Sequence, residues 1–368
     1  MPRAEGQPTR PDPGPIRREV PRWWSGGMPH APTTLAAPSP TTSAPRATRW
    51  RFLDSLRGFA LLGILLVNAL DITRVGDDAL LASRDGVHDP VRDALYLTVQ
   101  TRFVPIFVLL FGMSLWFVLS GARARVGSGR AWLVLVRRLV AIGVVGAALM
   151  LVYPGNILIE YGVVGLLVLP QVALLPRWAV LALGVLGTGA AYVVFGGGLA
   201  ATPGLMLLGA GGAAYGLPRV LETRTRVVAV AFAVAAVLTA PAVAWQLTQP
   251  GDPRFTTAGA TAGLAMAAVW TTGLALLWRT PLRRGIAAFF EPLGRMALSN
   301  YAGAAVVLFA AGLVVDFPAL PTVTPVVLLC VPLVVAQCLL SAWWLRRFAY
   351  GPVEWLLRCA TWWGRPQT

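Results

Sequence analysis

The chain contains no lysine and only two histidines, and these scarcities limit the chemistry that is available to it. All 31 of its Lys and Arg residues are arginine. His30 lies in a polar N-terminal segment, and His88 lies in a polar loop. Because neither histidine lies in an apolar stretch, no Ser–His or Cys–His catalytic pair can form inside a membrane.

Cysteine is scarce as well, with three residues in the chain: Cys330, Cys338 and Cys359. No two of them have the spacing of metal ligands, and we infer no disulfide framework. The sequence also lacks a phosphate-binding glycine loop and a dinucleotide fingerprint. We therefore expect no metal site and no cofactor.

Charged residues make up only 13% of the 368 residues, whereas 56% are hydrophobic and the mean hydropathy is +0.66. This composition is too apolar for a soluble domain and is typical of a polytopic membrane protein. The net charge of +15 resembles that of nucleic-acid-binding proteins. However, the arginines lie in short loops between apolar segments and in the tails, as the positive-inside rule requires. We expect membrane lipids, and no nucleic acid, as partners.

The organisation of the chain follows from its apolar segments. Residues 1–49, rich in Pro, Thr, Ser, Ala and Arg, are predicted to be a disordered cytoplasmic tail. Residues 50–348 are predicted to form an all-α bundle of about ten transmembrane helices. The segments are 52–72, 94–120, 132–153, 156–175, 178–197, 203–218, 227–247, 257–278, 296–315 and 322–345. Arginine-rich loops alternate with acidic ones, so both termini are predicted to be cytoplasmic, with a C-terminal tail at 349–368.

The first apolar segment carries a polar stripe. Asp54, Arg57, Asn68 and Asp71 fall within roughly 100° of one helix face, at about 100° per residue. Charged side chains are energetically unfavourable in the hydrocarbon of a membrane, so they normally face a bundle interior or a water-filled cavity. The stripe therefore predicts a polar interior lined by this helix. An alternative for Asp54 and Arg57 is an ion pair near the lipid headgroups.

Polar residues near the predicted outer ends of later segments give further candidates. Arg102 is suited to bind a phosphate or carboxylate, and anchoring in headgroups is the alternative. Glu160 is expected to pair with Arg102 rather than to act as a general base. Asn156 is predicted to cap the helix that contains Glu160.

A further pair of charged residues precedes the ninth segment. Glu291 is followed by a proline that suits a first helical turn, so Glu291 is predicted to cap that helix rather than to pair with Arg295. Arg295 is expected to complement Asp54, since both lie near the predicted cytoplasmic side.

Five stretches of the chain carry a family resemblance. They are LDSLRGFALLGILLVN (53–68), FVLLFGMSLWF (107–117), YPGNILIEYGVVGLLVL (153–169), GRMALSNY (294–301) and GPVEWLLR (351–358). In this order they resemble the YeiB-like family of bacterial membrane proteins, whose C-terminal half is a domain of unknown function. That family more distantly resembles the transmembrane acyltransferase superfamily. The resemblance implies a multi-pass protein of the bacterial cell membrane that moves an acyl group from a donor to an envelope lipid or glycan.

The resemblance also singles out individual residues. The LDxLRG motif of the family matches Asp54 and Arg57, and its later asparagines match Asn68 and Asn300. The candidate catalytic residues are Asp54, Arg57 and Glu160. The candidate substrate-binding residues are Asn68, Arg102, Arg295 and Asn300.

Two departures from the family pattern keep three hypotheses open. Leu149 and Asn156 stand where relatives usually have His and Asp, which are residues suited to proton transfer. The first hypothesis is an acyltransferase-like enzyme. The second is a transporter or flippase of a charged small molecule or lipid, in which intramembrane charges bind the substrate. The third is a degenerate, non-catalytic member of the family.

Overall fold

The computed structural model describes residues 49–78, 89–249 and 251–363. Over these residues the chain forms 14 α-helices and two short 3-10 turns, with no β-strand, which confirms the predicted all-α class. Apart from Arg49, the predicted N-terminal tail lies outside the described residues.

The helices follow one another with short connections. They are α1 (Arg51–Thr73), α2 (Pro90–Thr98), α3 (Val104–Val126), α4 (Ser128–Leu149), α5 (Leu158–Leu174), α6 (Arg177–Phe195), α7 (Thr202–Ala214), α8 (Leu217–Thr223), α9 (Thr225–Leu247), α10 (Thr257–Leu277), α11 (Arg283–Arg295), α12 (Ala297–Gly312), α13 (Thr324–Trp344) and α14 (Pro352–Trp362). The 3-10 turns are Gly198–Ala201 and Pro253–Phe255.

Seven of these helices are long and apolar enough to cross a bilayer, namely α1, α3, α4, α6, α9, α10 and α13. Two shorter apolar helices, α5 and α7, and helix α12 occupy the remaining three predicted segments. Helix α11, which no segment predicted, precedes α12 and is bent from it by 77°. The protein is thus a polytopic helical membrane protein. We call the end of the bundle at the α1 N-terminus the inner end, and the opposite end the outer end.

The second predicted segment is not one continuous helix. The structure divides 94–120 into the end of α2 and most of α3. Asp89 caps α2 by accepting hydrogen bonds from the backbone of Val91 and Arg92. Pro105 lies in the first turn of α3, where its missing N–H has no helical partner to lose.

Close packing of α1 against α11 fixes the inner end of the bundle. A Cβ atom added to Gly294 would lie 1.8 Å from the backbone oxygen of Asp54. One added to Gly58 would lie 2.0 Å from the backbone oxygen of Phe290. Small residues permit such backbone contact between helices in lipid, where no hydrophobic force drives association.

The bend between α11 and α12 is held by a buried polar cluster. The side-chain amide of Asn300 donates to the backbone oxygen of Leu293 at 3.3 Å and to Ser341 Oγ at 3.0 Å. Gln337 in turn donates to the backbone oxygen of Asn300 at 2.8 Å. Because Asn300, Gln337 and Ser341 are buried, these bonds satisfy polar groups that lipid could not.

Residues 352–362, assigned from the sequence to a C-terminal tail, form helix α14, which packs against α4 and α12. Glu354 of α14 accepts hydrogen bonds from the backbone N–H groups of Leu298 (2.7 Å) and Ser299 (3.1 Å) and from Ser299 Oγ. The first N–H groups of a helix lack helical partners, so Glu354 provides the hydrogen-bond acceptors for the N–H groups at the start of α12.

A candidate anion-binding cavity

A cavity of about 200 Å³ lies between α1, α3, α4, α5, α11, α12 and α14. Arginines from three helices line it: Arg57 of α1, Arg138 of α4 and Arg295 of α11. The rest of its wall is mainly apolar, with Ile64 and Leu110 among its members. It therefore combines a basic region with an apolar one.

The three guanidinium groups have few partners. Arg57 reaches Asp54 at 3.5 Å, and Arg295 donates to the backbone oxygen of Ala349, also at 3.5 Å. Arg138 makes no ion pair with any residue that the structure describes, although it lies near the middle of a spanning helix. Because a buried charge normally has a hydrogen-bonded counter-charge, this arrangement leaves an excess of positive charge in the cavity.

Glu354 is the single carboxylate that lines the cavity among the described residues. Its oxygen atoms already accept the three hydrogen bonds from the start of α12. Arg138 experiences the attraction of Glu354 together with the repulsion of Arg57 and Arg358. Three arginines against one engaged carboxylate make the lining net positive.

Two tyrosines complete the polar lining. Tyr161 of α5 is 1% exposed, and its hydroxyl has no hydrogen-bond partner among the described residues. Its ring packs against Phe111, with ring centroids 5.2 Å apart. Tyr301 of α12 is also buried; its hydroxyl lies near Asn68 and Ile157 but, like that of Tyr161, has no hydrogen-bond partner among the described residues.

The structure places some of the predicted inner-end residues in this cavity and others beside it. Arg57 and Arg295 both line it. Asp54 lies next to the cavity and binds Arg49 at 2.7 Å. Arg295 lies close enough to Asp54 to be attracted by its charge, but no ion pair joins the two side chains in the described part of the chain.

Glu291 was predicted to cap a helix. It instead lies within α11 and pairs with Arg51 at 2.9 Å, so the cap prediction is wrong. This ion pair joins α11 to the first turn of α1, next to the contact between Gly58 and Gly294.

Asn68 and Asp71 belong to a separate cluster at the outer end. The hydroxyl of Tyr153 lies 3.2 Å from Asn68 Oδ1 and 3.3 Å from Asp71 Oδ2. Arg254, from the 3-10 turn before α10, binds both oxygens of Asp71 at 2.7 Å. Burial and the charge of Asp71 raise the pKa of Tyr153, so its hydroxyl stays protonated as a donor.

Arg102 is fully buried between α2 and α3, away from the cavity. Its guanidinium donates to the side chain of Gln246, the backbone oxygen of Gln100 and, at 2.9 Å, Thr101 Oγ1. Burial lowers the pKa of Arg102 to about 10. The neutral partners indicate that Arg102 ties the α2–α3 connection to α9.

Glu160 accepts a hydrogen bond from Thr202 Oγ1 at 2.8 Å, which joins α5 to α7. No ion pair links Glu160 to Arg102 within the described ranges, so that prediction is wrong. The cap prediction for Asn156 is also wrong, since Ile157 occupies the cap position of α5. Asn156 instead donates to the backbone oxygens of Gly146 and Tyr153.

Sequence reasoning missed Arg138, Tyr161 and Glu354 as cavity residues. Arg138 lies inside the predicted segment 132–153, and a charged residue at that position was the available signal. Glu354 lies in the GPVEWLLR stretch, which was noted only for its resemblance. Among the described residues, no group of three His, Cys, Asp or Glu side chains has a metal-binding arrangement.

The fold and the cavity define a polytopic helical membrane protein with a basic site enclosed in its helical bundle. Residues 219–364 match the family model described as "Protein of unknown function (DUF418)". This match confirms the predicted resemblance to the YeiB-like family over the C-terminal region of the chain. The matched region contributes Arg295, Tyr301 and Glu354 to the cavity, whereas Arg57 and Arg138 precede it.

A comparison with curated proteins finds a relative along most of the chain. It is the "Uncharacterized 39.9 kDa protein in amylase 3'region" of Bacillus acidopullulyticus, which is 29% identical over 333 residues. The match covers 84% of this chain and 92% of that protein. No solved structure matches the chain.

Proposed function

We propose that the protein binds an anionic amphiphile, a lipid phosphate, in the arginine-lined cavity. The observation that carries this proposal is the convergence of Arg57, Arg138 and Arg295 from three helices on one space. Guanidinium groups match the geometry of phosphate oxygens and form charge-assisted hydrogen bonds with them. A phosphate would supply the counter-charge that the described side chains do not.

The apolar wall argues for a ligand with a hydrocarbon part. The wall includes Ile64, Phe107, Leu110, Ile142 and Leu158, which lie on α1, α3, α4 and α5. Ligand cavities that are mostly apolar with a few convergent polar groups bury the apolar part of the ligand and orient its polar part. A lipid would place its phosphate among the arginines and an acyl chain along this wall.

The carboxylates of the structure favour transport of the lipid over acyl transfer. Acyl transfer needs a general base within reach of the proton that is removed. Asp54 is bound by Arg49 and Arg57, while Glu354 accepts three hydrogen bonds from α12. Glu160 is absent from the cavity lining and bonds to Thr202. We therefore infer that the activity is movement of the lipid phosphate between membrane leaflets.

Binding is tested with the purified full-length protein in detergent and dioleoyl phosphatidic acid, scored as lipid retained in native mass spectra. Because a hydrogen bond to a charged group contributes about 1.5–3 kcal/mol, Arg138→Gln should reduce the affinity about tenfold or more. Diacylglycerol has the same chains without the phosphate, and it should bind weakly to both proteins.

Arg137→Gln is the matched control for charge. Arg137 is the preceding residue on α4, is exposed, and lies over the ring of Trp363 at 4.8 Å rather than in the cavity. It should bind phosphatidic acid like the wild type. Equal losses in the two variants, or equal retention of diacylglycerol and phosphatidic acid, would refute the proposal.

Transport is tested in vesicles that contain the protein and a fluorescent phosphatidic acid. Dithionite added outside the vesicles quenches the fluorescence of the lipid in the outer leaflet. Fluorescence from the inner leaflet should be lost faster in vesicles with the wild type than in protein-free vesicles. Vesicles with Arg138→Gln should lose it no faster than protein-free vesicles. Conversion of the lipid to a product of different acyl mass, detected in the same vesicles, would contradict transport and favour acyl transfer.

A further inference from the structure

The hydroxyl of Tyr161 is a buried donor without an acceptor. The side chain is 1% exposed and lines the cavity, and no described residue accepts from its oxygen. Most buried polar side-chain atoms in proteins have a hydrogen-bond partner, because an unpaired buried donor is destabilising. The hydroxyl is thus free to donate to a molecule bound in the cavity that Tyr161 lines.

The position of Tyr161 separates it from the basic region. Arg57 and Ile64 both line the cavity, so it extends about 10 Å along α1 at a rise of 1.5 Å per residue. Tyr161 lies in the first turn of α5, one turn after Ile157, at the end of the cavity nearer the outer end of the bundle. If the phosphate of a ligand lies among the arginines, the less polar part of the ligand would contact Tyr161.

We propose that Tyr161 donates a hydrogen bond to the carbonyl oxygen of an acyl ester in the bound lipid. This inference rests on the proposed function and names the class of lipid. The phosphate itself would lie with the arginines, and a hydrocarbon chain has no acceptor. An ester carbonyl is a strong acceptor that lies between the phosphate and the chains, whereas the oxygen of an ether-linked lipid is a weaker one. The cavity therefore selects ester-linked over ether-linked lipid phosphates.

The test compares dioleoyl phosphatidic acid with its dialkyl ether analogue of equal chain length, bound to the purified full-length protein in detergent. The wild type should bind the ester about fivefold more tightly, the equivalent of one neutral hydrogen bond. Tyr161→Phe should lose this preference by weakening the binding of the ester alone. Tyr192→Phe, on α6, is the matched control, because Tyr192 does not line the cavity and its hydroxyl donates to the backbone oxygen of Ala260 at 3.3 Å. This variant should keep the preference.

The outcomes distinguish this inference from the proposed function. If the wild type binds both lipids equally, and Arg138→Gln still weakens both, the ester inference is refuted while the anion site stands. If Tyr161→Phe weakens both lipids to the same extent, Tyr161 contributes packing rather than recognition, and the inference is again refuted. If neither lipid binds, both proposals are overturned.

Discussion

Substitution of Gly294 by alanine tests the contact between α1 and α11 directly. The added methyl group would lie 1.8 Å from the backbone oxygen of Asp54 and 2.8 Å from its carbonyl carbon. These atoms belong to a helix backbone, so no side-chain rotation can relieve the clash. The two helices must move apart, and the ion pair of Arg51 with Glu291 lies across the same contact.

Two opposing contributions determine how much Gly294→Ala changes the free energy of unfolding. Alanine is more favourable than glycine in a helix interior by about 0.8–1 kcal/mol. Overpacking in a close-packed interior costs typically about 1–3 kcal/mol, and a clash with backbone belongs at the upper end. We expect Gly294→Ala to be less stable than the wild type by about 1–2 kcal/mol.

Gly285→Ala is the matched control, because it lies on the same helix and a Cβ atom there meets nothing within 4 Å. It should be as stable as the wild type or slightly more stable. The measurement is the free energy of unfolding of the full-length protein in mixed micelles titrated with SDS. If Gly294→Ala is as stable as Gly285→Ala, the close contact of α1 with α11 is refuted.

Three further substitutions probe the polar contacts. Glu354→Ala should lower the free energy of unfolding by about 1–3 kcal/mol, since it leaves part-buried N–H groups of α12 unpaired. An unchanged free energy of unfolding would contradict the role of Glu354 as a cap. Gln246→Leu should lower it by about 1.5–3 kcal/mol, because the charge of Arg102 loses an acceptor; a stabilised variant would contradict that contact. A double-mutant cycle of Asp71→Asn with Arg254→Gln should give a coupling energy of at most about 1 kcal/mol, because both side chains are partly exposed. Added salt should weaken this coupling. A larger coupling energy that does not depend on salt would contradict a partly exposed ion pair.

The polar stripe of α1 shows how far the sequence alone could lead. The spacing of Asp54, Arg57, Asn68 and Asp71 predicted one polar helix face, because helical periodicity is a local property. In the structure this face contacts two sites, with Arg57 in the cavity and Asp71 in the outer cluster. The apolar segments were also predictable, since bilayer thickness sets their length. Their number as spanning helices was not, because seven described helices are long enough to cross a bilayer and the sequence predicted about ten.

The partners of these residues were not predictable, because they depend on which helices pack together. Arg254 is 183 residues from Asp71 in the chain, and Glu354 is 56 residues from Leu298. Arg138 was not predicted to line a cavity, because the neighbours of its helix face depend on the packing of α4 against α14. The same limit explains the wrong pairing of Arg102 with Glu160, which lie near one end of the bundle but belong to different contacts.

The most direct test of the anion site is a cryo-EM structure of the full-length protein in nanodiscs that contain phosphatidic acid. The account predicts density for a phosphate within hydrogen-bond distance of Arg138 and of Arg57 or Arg295, with an acyl chain continuing toward Tyr161. A cavity in which Arg138 instead pairs with a protein carboxylate, with no lipid density beside it, would contradict the account.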